Sequence, residues 1–413
     1  MSEIVIVGAG PAGMAAAVAA SSQPGTQVTV IDDNPRVGGQ IWRNGDGSTS
    51  SWFDRLSQCN AKVLTSARVI SGDSLNRSLA IEREGKVQSI PYSKLVLATG
   101  ARELFLPFPG WTLPNVMGVG GLQALVKSGL PVAGKRIVVA GSGPLLLAVA
   151  AYLKNHGAII PLIAEQASLR SLAGFTMGLL AHPNKLWQAF GLNPRFVGIP
   201  YFTDCWIEAA LGSDRVQRIR LRQKASVWEE PCDFVANAFG FVANNELATL
   251  LGCSLESGAA RVDKLQQTSI TDIYCAGEAA GIGGVDSALL EGKIAGYAAT
   301  GQTSYCSRLQ SQLRKAKAFA GSLNKTFAPR AELRTLAQPD TIVCRCEDVT
   351  LGRLRTANSW RSAKLHERCG MGPCQGRICG PAAQFILGWE PSSVRPPIFP
   401  ARLDTLLQEN SVK

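Results

Sequence analysis

The cysteines in the last quarter of the chain have the spacing that most directly suggests chemistry. Cys344 and Cys346 lie in TIVCRCEDVT, and Cys369, Cys374 and Cys379 follow one another at five-residue steps in CGMGPCQGRICG. Clustered thiolates hold iron–sulfur clusters or zinc, and thiols form disulfides in oxidising compartments. Structural zinc sites prefer Cys-x-x-Cys over Cys-x-Cys, whereas iron–sulfur clusters accept varied spacings. We expect a 2Fe-2S cluster, with a zinc site or unligated thiols as the alternatives.

A glycine turn near the start of the chain supplies a second set of residues with chemical meaning. The segment EIVIVGAGPAGMAAAVAASSQPGTQVTVIDD reads as a strand, a G-x-G-x-x-G turn, a helix and a strand that ends in acid. Gly8 permits the tight turn, Gly10 lets a pyrophosphate approach the backbone, and Gly13 allows close helix packing. Asp32 lies where a carboxylate binds a ribose hydroxyl, and Ala12 belongs to the same turn. The segment predicts a dinucleotide-binding βαβ unit.

Three later segments resemble those of the two-dinucleotide-binding flavoproteins, the class of glutathione, thioredoxin and ferredoxin reductases. They are VGGQ with Gly39 and Gln40, LATGA with Thr99 and Gly100, and TDIYCAGE with Gly277 and Glu278. The resemblance implies an α/β fold with two Rossmann domains, in which FAD is held by the first βαβ unit and by these six residues. Glu278 stands where many relatives have Asp, which keeps the carboxylate and lengthens the side chain by one methylene.

A second βαβ pattern, KRIVVAGSGPLLLAVAAYLKNHGAIIPLIAE, follows where this class binds NADH or NADPH. Gly141 and Gly143 are present in its turn, and Glu165 could meet a ribose. Leu146 replaces the third glycine, and its side chain would crowd the helix against the strand. We expect a nucleotide-binding fold with a degenerate NAD motif. An adenine nucleotide, ATP or NAD, and an empty site are the alternatives.

Other candidate residues form no recognisable catalytic group. Cys59 and Cys205 each stand alone, so we expect no redox-active disulfide of the kind that disulfide reductases place beside the flavin. His156, His182 and His366 lack the spacing of a metal site or of a nucleophile with its base, which indicates structural or exposed roles. We therefore assign no catalytic residue.

The composition places these motifs in a large globular chain. Of its 413 residues, 46% are apolar and 18% are charged, and the formal net charge is +11. Excess Lys and Arg favour acidic partners, but no basic block is interleaved with aromatic residues, so we do not expect nucleic-acid binding. The start MSEIVIVGAG enters a strand without the features of a signal peptide, which indicates a reducing, cytoplasmic location.

Two segments bear on membrane contact. The apolar run 137–153 is interrupted by a GSGP turn, so we expect no transmembrane helix. The stretch SRLQSQLRKAKAFAGSLNKTFAPR is basic, contains no acid and has apolar residues at helical spacing. It predicts a linker helix packed on the flavin domain, with contact to a partner or peripheral association with the inner face of the cell membrane as the alternative.

Over essentially its full length the chain resembles the α-type subunits of heteromeric dye-linked amine dehydrogenases, which include opine oxidase, hydrogen cyanide synthase, proline dehydrogenase and D-hydroxyproline dehydrogenase. CRCEDVT and GMGPCQGRIC are similar to the iron–sulfur module of bacterioferritin-associated ferredoxin. Further marks are RELFLPFPGWTLPNVMGVGGLQAL, VVAGSGPLLLAVAAYL and RPPIFP. The resemblance implies a lost NAD role, because the degenerate GSGPLL is typical of the family. It also implies a cluster with Cys369 spare and with four ligands: Cys344, Cys346, Cys374 and Cys379.

In that family the amino acid is oxidised at a separate β-type subunit that resembles amino-acid oxidases. The resemblance therefore implies an electron-transfer role within a hetero-oligomer that also contains this FAD-containing β-type chain and a small ferredoxin-like γ chain. FMN at an interface between chains is a further implied cofactor. Electrons would pass from an amino acid or secondary amine, with D-hydroxyproline, proline-like compounds and opines as first choices, to a quinone or other respiratory acceptor. The alternatives are an NAD(P)H-dependent reductase that feeds a partner through the cluster and a non-catalytic scaffold.

These patterns divide the chain into five parts. We expect an FAD-binding domain over 1–110 and 225–305, an inserted nucleotide-binding domain over 111–224, and a basic helical linker over 306–340. A 2Fe-2S domain follows over 341–390, and a proline-rich tail over 391–413 ends the chain. The FAD-binding domain is thus expected to be split by the second nucleotide-binding domain.

Overall fold

The computed structural model describes residues 2–42, 50–179, 198–391 and 394–411, so His182 lies outside the described part of the chain. The chain forms two compact units. The first contains Met1–Arg102, Val242–Gly321 and Ser392–Lys413, and the second contains Glu103–Phe241 and Ser322–Pro391. The second unit therefore interrupts the first along the sequence, and the cysteine-bearing segment belongs to the second unit.

The secondary-structure elements are numbered here in chain order. The strands are β1 Ser2–Val7, β2 Thr26–Ile31, β3 Ala61–Leu64, β4 Ala67–Asp73, β5 Ser78–Arg83, β6 Lys86–Pro91, β7 Lys94–Leu97, β8 Ala101–Glu103, β9 Val116–Gly118, β10 Ile137–Gly141, β11 Ile163–Glu165, β12 Tyr201–Phe202, β13 Cys205–Leu211, β14 Arg218–Gln223, β15 Ser226–Pro231, β16 Phe234–Ala238, β17 Phe241–Ala243, β18 Leu255–Glu256, β19 Ala259–Ala260, β20 Ile273–Cys275, β21 Ile342–Cys344 and β22 Val349–Thr350. The helices are α1 Pro11–Ser21, α2 Ser50–Gln58, α3 Val119–Lys127, α4 Pro144–Asn155, α5 Leu169–Leu179, α6 Glu246–Leu250, α7 Gly284–Ala299, α8 Thr303–Thr326, α9 Leu351–Leu354, α10 Trp360–Glu367, α11 Cys379–Leu387 and α12 Leu403–Ser411, with 3-10 turns at Gly277–Ala280 and Ala331–Thr335. Within the described ranges, none of the helices combines the length and the apolar composition needed to cross a bilayer.

A five-stranded parallel sheet forms the centre of the first unit, in the order β20-β7-β1-β2-β3. β1 lies in the middle, and its apolar residues are buried as expected for a strand covered on both faces. The helix α1 connects β1 to β2 and packs closely on α7, because Gly292 and Gly296 of α7 carry no side chain. A Cβ on Gly292 would lie 2.1 Å from the carbonyl oxygen of Ala12. This close crossing fixes the N-terminal end of α1, where the glycine turn lies.

The second unit repeats this arrangement. Its parallel sheet has the order β12-β11-β10-β16-β9, and α4 connects the buried strand β10 to β11. Each unit also contains a three-stranded antiparallel sheet, β4-β5-β6 in the first and β13-β14-β15 in the second. The predicted α/β fold with two dinucleotide-binding units is confirmed.

The C-terminal part of the second unit has a small core of its own. The antiparallel pair β21 and β22 packs with α9, α10 and α11 around Trp360 and the buried cysteines. Just before this core, Leu333 of the second 3-10 turn is buried in the core that contains the antiparallel sheet of the same unit. The indole N–H of Trp111 donates to the carbonyl oxygen of Ile342 at 2.6 Å, which fixes the strand that ends at Cys344.

The C-terminal tail returns to the first unit. The backbone N–H of Ile398 donates to the carbonyl oxygen of Ile70 at 2.8 Å, and the guanidinium of Arg68 lies over the ring of Phe399. α12 follows, and the hydroxyl of Thr405 donates to the carboxylate of Glu82 at 3.0 Å. The proline-rich segment is therefore packed on the antiparallel sheet of the first unit.

Candidate cofactor sites

The glycine turn of the first unit is shaped by backbone contacts that leave no room for side chains. Gly8 has φ +105°, and a Cβ there would lie 2.2 Å from the carbonyl oxygen of Ala98. A Cβ on Gly13 would lie 1.8 Å from the carbonyl oxygen of Gly8. Gly10 differs, because a Cβ built on it would have one atom within 4 Å, the Cα of Gly39 at 3.8 Å. The turn closes tightly against the sheet and leaves an open cradle at Gly10.

Asp32 follows β2 beside this turn and is buried. One carboxylate oxygen accepts a hydrogen bond from the backbone N–H of Ala9 at 2.6 Å. The other accepts bonds from the backbone N–H and the side-chain amide of Asn34, both at 2.8 Å. A carboxylate offers about four acceptor positions, so one remains open. Asp32 can therefore accept a hydrogen bond from a hydroxyl group of a bound nucleotide.

The loop after β2 borders the same cradle. The backbone N–H of Gly38 donates to the carbonyl oxygen of Ala9 at 2.8 Å. This brings Gly39 so close that a Cβ on it would lie 2.9 Å from the Cα of Gly10. Gln40 follows with an exposed side chain. The loop can lie this close to the turn only because Gly39 has no side chain.

Thr99 and Asn244 hold each other through two reciprocal hydrogen bonds. The hydroxyl of Thr99 donates to the carbonyl oxygen of Asn244 at 2.6 Å, and the side-chain amide of Asn244 donates to the carbonyl oxygen of Thr99 at 2.9 Å. Gly100 follows with φ +70° and no atom near its Cβ position. Asn244 was not predicted from the sequence, because it lies 145 residues from Thr99 and belongs to no motif.

The late flavin segment places Gly277 and Glu278 in the first 3-10 turn. Gly277 has φ +73°, and a Cβ on it would lie 2.7 Å from the Cβ of Ala12, so the segment touches the start of α1. The carboxylate of Glu278 accepts a hydrogen bond from the N–H of Gly284 at 3.1 Å. Burial raises the pKa of the Glu278 carboxyl above its ordinary value. The Glu278 carboxylate therefore lies at the N-terminus of α7.

An ion pair between a buried acid and a half-exposed lysine supports this segment. Glu291 of α7 accepts a hydrogen bond from the N–H of Gly277 at 2.9 Å, and its other oxygen lies 2.8 Å from the ammonium of Lys317 on α8. Burial raises the pKa of Glu291, and the nearby charge of Lys317 lowers it. The ion pair could not be predicted from the sequence, because neither residue belongs to a motif and the contact joins two helices.

These residues fit a flavin dinucleotide. The cradle at Gly10 is a space that a Cβ would enter, and it lies between the turn and the loop of Gly39. Asp32 supplies an acceptor beside it, and α1 begins there with unpaired backbone N–H groups that favour a pyrophosphate.

The glycine turn of the second unit repeats the constraint on the first glycine but differs at the middle one, where Gly143 has φ +99° and Gly10 has φ −75°. A Cβ on Gly141 would lie 1.9 Å from the carbonyl oxygen of Ala238, which matches the constraint on Gly8. Leu146 stands at the third glycine position and is completely buried in the core beside β10. The Cβ direction of Gly143 meets the ring of Phe327 at 3.8 Å.

The C-terminal cysteines form one cluster of thiols. The sulfur atoms of Cys344, Cys369 and Cys379 lie within 4.8 Å of one another, and all three residues are buried. Cys374 contacts the thiols of Cys379 and Cys346. Cys346 is exposed. The fold therefore gathers all five, and it places Cys369 beside Cys344 and Cys379.

Hydrogen bonds among the thiols set their charges. Bonds from Cys369 and Cys379 lower the pKa of Cys344 to about 2. A bond from Cys379 lowers the pKa of Cys374 to about 5. The same bonds raise the pKa of Cys379, which acts as the donor. Since metal ligands must be thiolates, the lowered pKa values of Cys344 and Cys374 favour metal binding.

The loop that carries these cysteines packs on Trp360. A Cβ on Gly370 would lie 2.7 Å from the indole ring, and a Cβ on Gly376 would lie 3.0 Å from it. A Cβ on Gly372 would lie 2.4 Å from the Cβ of Cys346. The glycines of CGMGPCQG are therefore packing requirements of the centre. Trp360 was not predicted from the sequence, because it lies outside both cysteine motifs.

The donor set fits an iron–sulfur cluster. The thiols of Cys344, Cys369 and Cys379 contact one another, and the thiol of Cys374 contacts those of Cys379 and Cys346. Iron–sulfur clusters and structural zinc ions each take four thiolates. The five thiols supply enough ligands, so the donor set is compatible with an iron–sulfur cluster.

The remaining candidates have structural roles. Cys205 lies in β13, where burial raises the pKa of its thiol to about 12, and the thiol of Cys59 donates to the carbonyl oxygen of Leu56. His156 contacts the carbonyl oxygen of Tyr152 at 2.8 Å, and His366 is exposed on α10. In the described ranges, none of these residues joins a group that could hold a metal ion.

Comparisons with known proteins agree with this geometry. Residues 2–295 match the family described as pyridine nucleotide-disulphide oxidoreductase. The chain is 30% identical to an opine oxidase subunit of Rhizobium meliloti, over 98% of this chain and 87% of that protein. It is 30% identical to the HcnB subunit of hydrogen cyanide synthase from Pseudomonas protegens, over 91% of this chain and 89% of that protein. The solved structure of L-proline dehydrogenase from P. horikoshii has a TM-score of 0.69 at 20% identity, and the match covers 98% of this chain and 79% of that one.

Proposed function

Since this chain belongs to the pyridine nucleotide-disulphide oxidoreductase family and is an FAD-dependent oxidoreductase, we propose that it is the electron-transfer subunit of a hetero-oligomeric dehydrogenase. The substrate, an amino acid or secondary amine, is oxidised at a partner subunit. The observation that carries the proposal is the five-thiol centre on a chain that also has a flavin site. A chain with two electron carriers and no assigned substrate base is suited to relay electrons.

The flavin is held by the backbone turn, the acid and the three loops around the cradle. The residues assigned to it are Gly8, Gly10, Ala12, Gly13, Asp32, Gly39, Gln40, Thr99, Gly100, Gly277 and Glu278. When bound, FAD supplies both two-electron and one-electron chemistry, which lets it stand between an organic substrate and a cluster. The chain's own part is to bind the pyrophosphate with backbone N–H groups and to fix the ribose and ribityl hydroxyls with Asp32 and Glu278.

The cluster is a 2Fe-2S centre held by four of the five thiols. We assign Cys344, Cys346, Cys374 and Cys379 as its ligands. Cys369 is then a fifth thiol that lies beside Cys344 and Cys379. The alternative set replaces the exposed Cys346 by Cys369.

The partner and the substrate are proposed from the relatives. Two of them are named as subunits of opine oxidase and hydrogen cyanide synthase, and a similar structure is an L-proline dehydrogenase. We assign to this chain a β-type FAD-containing partner, a small ferredoxin-like γ chain and FMN at an interface between chains. D-hydroxyproline is the first candidate substrate, followed by proline-like compounds and opines. Electrons pass to a quinone or other respiratory acceptor, in the cytoplasm or at the inner face of the membrane.

A second candidate function is that of an NAD(P)H-dependent reductase that feeds a partner through the cluster. The complete second βαβ unit favours it, because a parallel sheet with a glycine turn is the usual frame of a nicotinamide site. Leu146 and the contact of Gly143 with Phe327 count against it.

The test is to isolate the tagged chain with the proteins that co-purify and to assay dye reduction under anaerobic conditions. We expect the complex to reduce the dye with D-hydroxyproline, proline or an opine, and the isolated chain to be inactive with all three. The isolated chain should be yellow-brown from flavin and cluster. Rapid bleaching of its flavin by NADH or NADPH would contradict the electron-transfer subunit and support the NAD(P)H-dependent reductase. A colourless protein would contradict both functions.

A further inference from the structure

The segment that follows α8 lies on the glycine turn of the second unit. The hydroxyl of Ser142 donates to the carbonyl oxygen of Phe327 at 3.0 Å. The side-chain amide of Gln166 donates to the carbonyl oxygen of Ala328 at 2.9 Å. The same side chain accepts a bond from the backbone N–H of Arg330 at 2.8 Å. The backbone of residues 327–330 is thus paired with the turn in the manner of a bound peptide.

This segment occupies the place where a dinucleotide would lie. In open parallel sheets, ligands bind outside the carboxyl ends of the strands, beside the glycine turn. In the first unit the Cβ position of the middle glycine, Gly10, meets the Cα of Gly39 at 3.8 Å. In the second unit the Cβ position of the matching glycine, Gly143, meets the side chain of Phe327 at 3.8 Å. A side chain of the segment after α8 therefore lies beside the middle glycine of the second turn, where the first turn has only the backbone of its glycine loop.

The acid of the second unit is also fully engaged. One oxygen of Glu165 accepts a bond from the N–H of Ala167 at 2.8 Å and lies 3.0 Å from the hydroxyl oxygen of Ser142. The other accepts from the N–H of Gly143 at 2.8 Å and from the hydroxyl of Tyr201 at 3.5 Å. Protein groups thus surround both carboxylate oxygens. Glu165 is 0% exposed, so a ribose has no access to it.

Arg330 holds the C-terminal end of the segment 327–330 in place. Its guanidinium lies over the ring of Trp206, 4.1 Å from the centroid, and donates to the carbonyl oxygen of Gln166 at 3.1 Å. It also donates to the carboxylate of Glu332 at 2.8 Å. Leu333, immediately downstream, is 1% exposed. The segment is therefore held by hydrogen bonds, by a cation–π contact and by burial before the chain enters the cysteine-bearing core.

We propose that the second dinucleotide-binding unit has become a docking site for the chain's own segment 327–330 and no longer binds a nucleotide. Its occupant is a peptide that continues into the cysteine centre, so the unit anchors that centre and excludes NAD(P)H and ATP. The inference concerns the second unit alone and holds whichever substrate the partner oxidises.

Hydrogen exchange of the purified full-length chain tests this proposal. Peptides that cover residues 141–146 and 327–333 should exchange slowly, and millimolar ATP, NAD⁺ or NADH should leave their exchange unchanged. Gln166→Ala removes three side-chain bonds to the segment, so exchange at 327–333 should accelerate at least several-fold while flavin content stays constant. Gln223→Ala is the matched control, because it removes a 2.8 Å bond to the carbonyl oxygen of Thr203 in the same unit without touching the segment.

Three results would overturn the proposal. The first is slower exchange at 141–146 of the wild-type chain when any of the three nucleotides is added. The second is fast exchange at 327–333 in the wild-type chain. The third is an unchanged exchange rate of 327–333 in Gln166→Ala. If Gln166→Ala fails to fold, Arg330→Lys serves instead, since it keeps the charge and loses the planar contact with Trp206.

Discussion

The ammonium of Lys317 lies 2.8 Å from a carboxylate oxygen of Glu291, and the other oxygen of that carboxylate holds the N–H of Gly277. The side chain of Glu291 is 4% exposed, whereas that of Lys317 is 48% exposed. A helix outside every flavin motif therefore supplies a positive charge that opposes the effect of burial on the pKa of this acid.

Lys317→Met should lower the stability of the chain, and more so at high pH. Burial raises the pKa of Glu291 above its value in the unfolded chain. Between these two values the folded state binds more protons than the unfolded state, so stability falls as the pH rises. Removal of Lys317 raises the folded pKa further. We expect a loss of about 1 kcal/mol, after allowing for the solvent screening of Lys317, in mildly alkaline buffer and almost none in mildly acidic buffer.

Melting curves followed by flavin fluorescence at several pH values measure this effect. Lys315→Met is the control, because Lys315 is exposed on the same helix. A loss of stability that is equal at all pH values, or equal in the two variants, would contradict the assigned role of the ion pair.

Gly10→Val should remove the flavin without unfolding the chain. Gly10 has an ordinary negative φ of −75°, and its Cβ direction points into the cradle. The added side chain would fill the space assigned to the pyrophosphate, so FAD affinity should fall at least tenfold, or about 1.4 kcal/mol. Absorbance measures flavin content, and circular dichroism measures folding. Gly321→Ala is the control, since a Cβ there meets no atom within 4 Å and the residue lies on α8, away from the glycine turn in the sequence. Full flavin content in Gly10→Val would mean that the cradle does not hold FAD.

Serine substitutions at the five cysteines should distinguish the four cluster ligands from the thiol that is not a ligand. We expect strong loss of iron in Cys344→Ser, Cys346→Ser, Cys374→Ser and Cys379→Ser, and retention of iron in Cys369→Ser. Iron analysis and electron paramagnetic resonance of the reduced protein give the readout. Loss of the cluster in Cys369→Ser together with its retention in Cys346→Ser would establish the alternative ligand set.

Asn244→Ala should weaken flavin binding although Asn244 belongs to no flavin motif. The substitution removes the side-chain donor to the carbonyl oxygen of Thr99. An unpaired polar group at such a place costs about 1–3 kcal/mol, so we expect FAD affinity to fall about fivefold or more. A fluorescence titration of the flavin-free protein measures the dissociation constant. Asn76→Ala, in an exposed turn of the same unit, should bind FAD as the wild type does. Equal affinities in the two variants would show that Thr99 keeps its position without Asn244.

The fold class and the family could be predicted because their signals are local. The glycine turns of Gly8 and Gly141 and the strands beside them are contiguous patterns whose backbone geometry follows from a few adjacent residues. The FAD-dependent oxidoreductase class is confirmed by the match of residues 2–295.

The contacts that complete each site could not be predicted, because they join residues far apart in the sequence. Asn244 meets Thr99, Lys317 meets Glu291, and Phe327 meets Gly143 only through tertiary packing. Leu146 was enough to predict a degenerate NAD motif. No local pattern indicates that the chain's own backbone lies on the turn.

The contact of Trp360 with Gly370 and Gly376 gives the cysteine centre a built-in optical reporter. An indole ring beside an iron–sulfur cluster loses its excited-state energy to the cluster, so the emission of Trp360 should be dark when the cluster is present and bright when it is absent. Assembly and loss of the cluster could therefore be followed in real time by tryptophan emission, with Trp360→Phe identifying the part of the signal that comes from this ring.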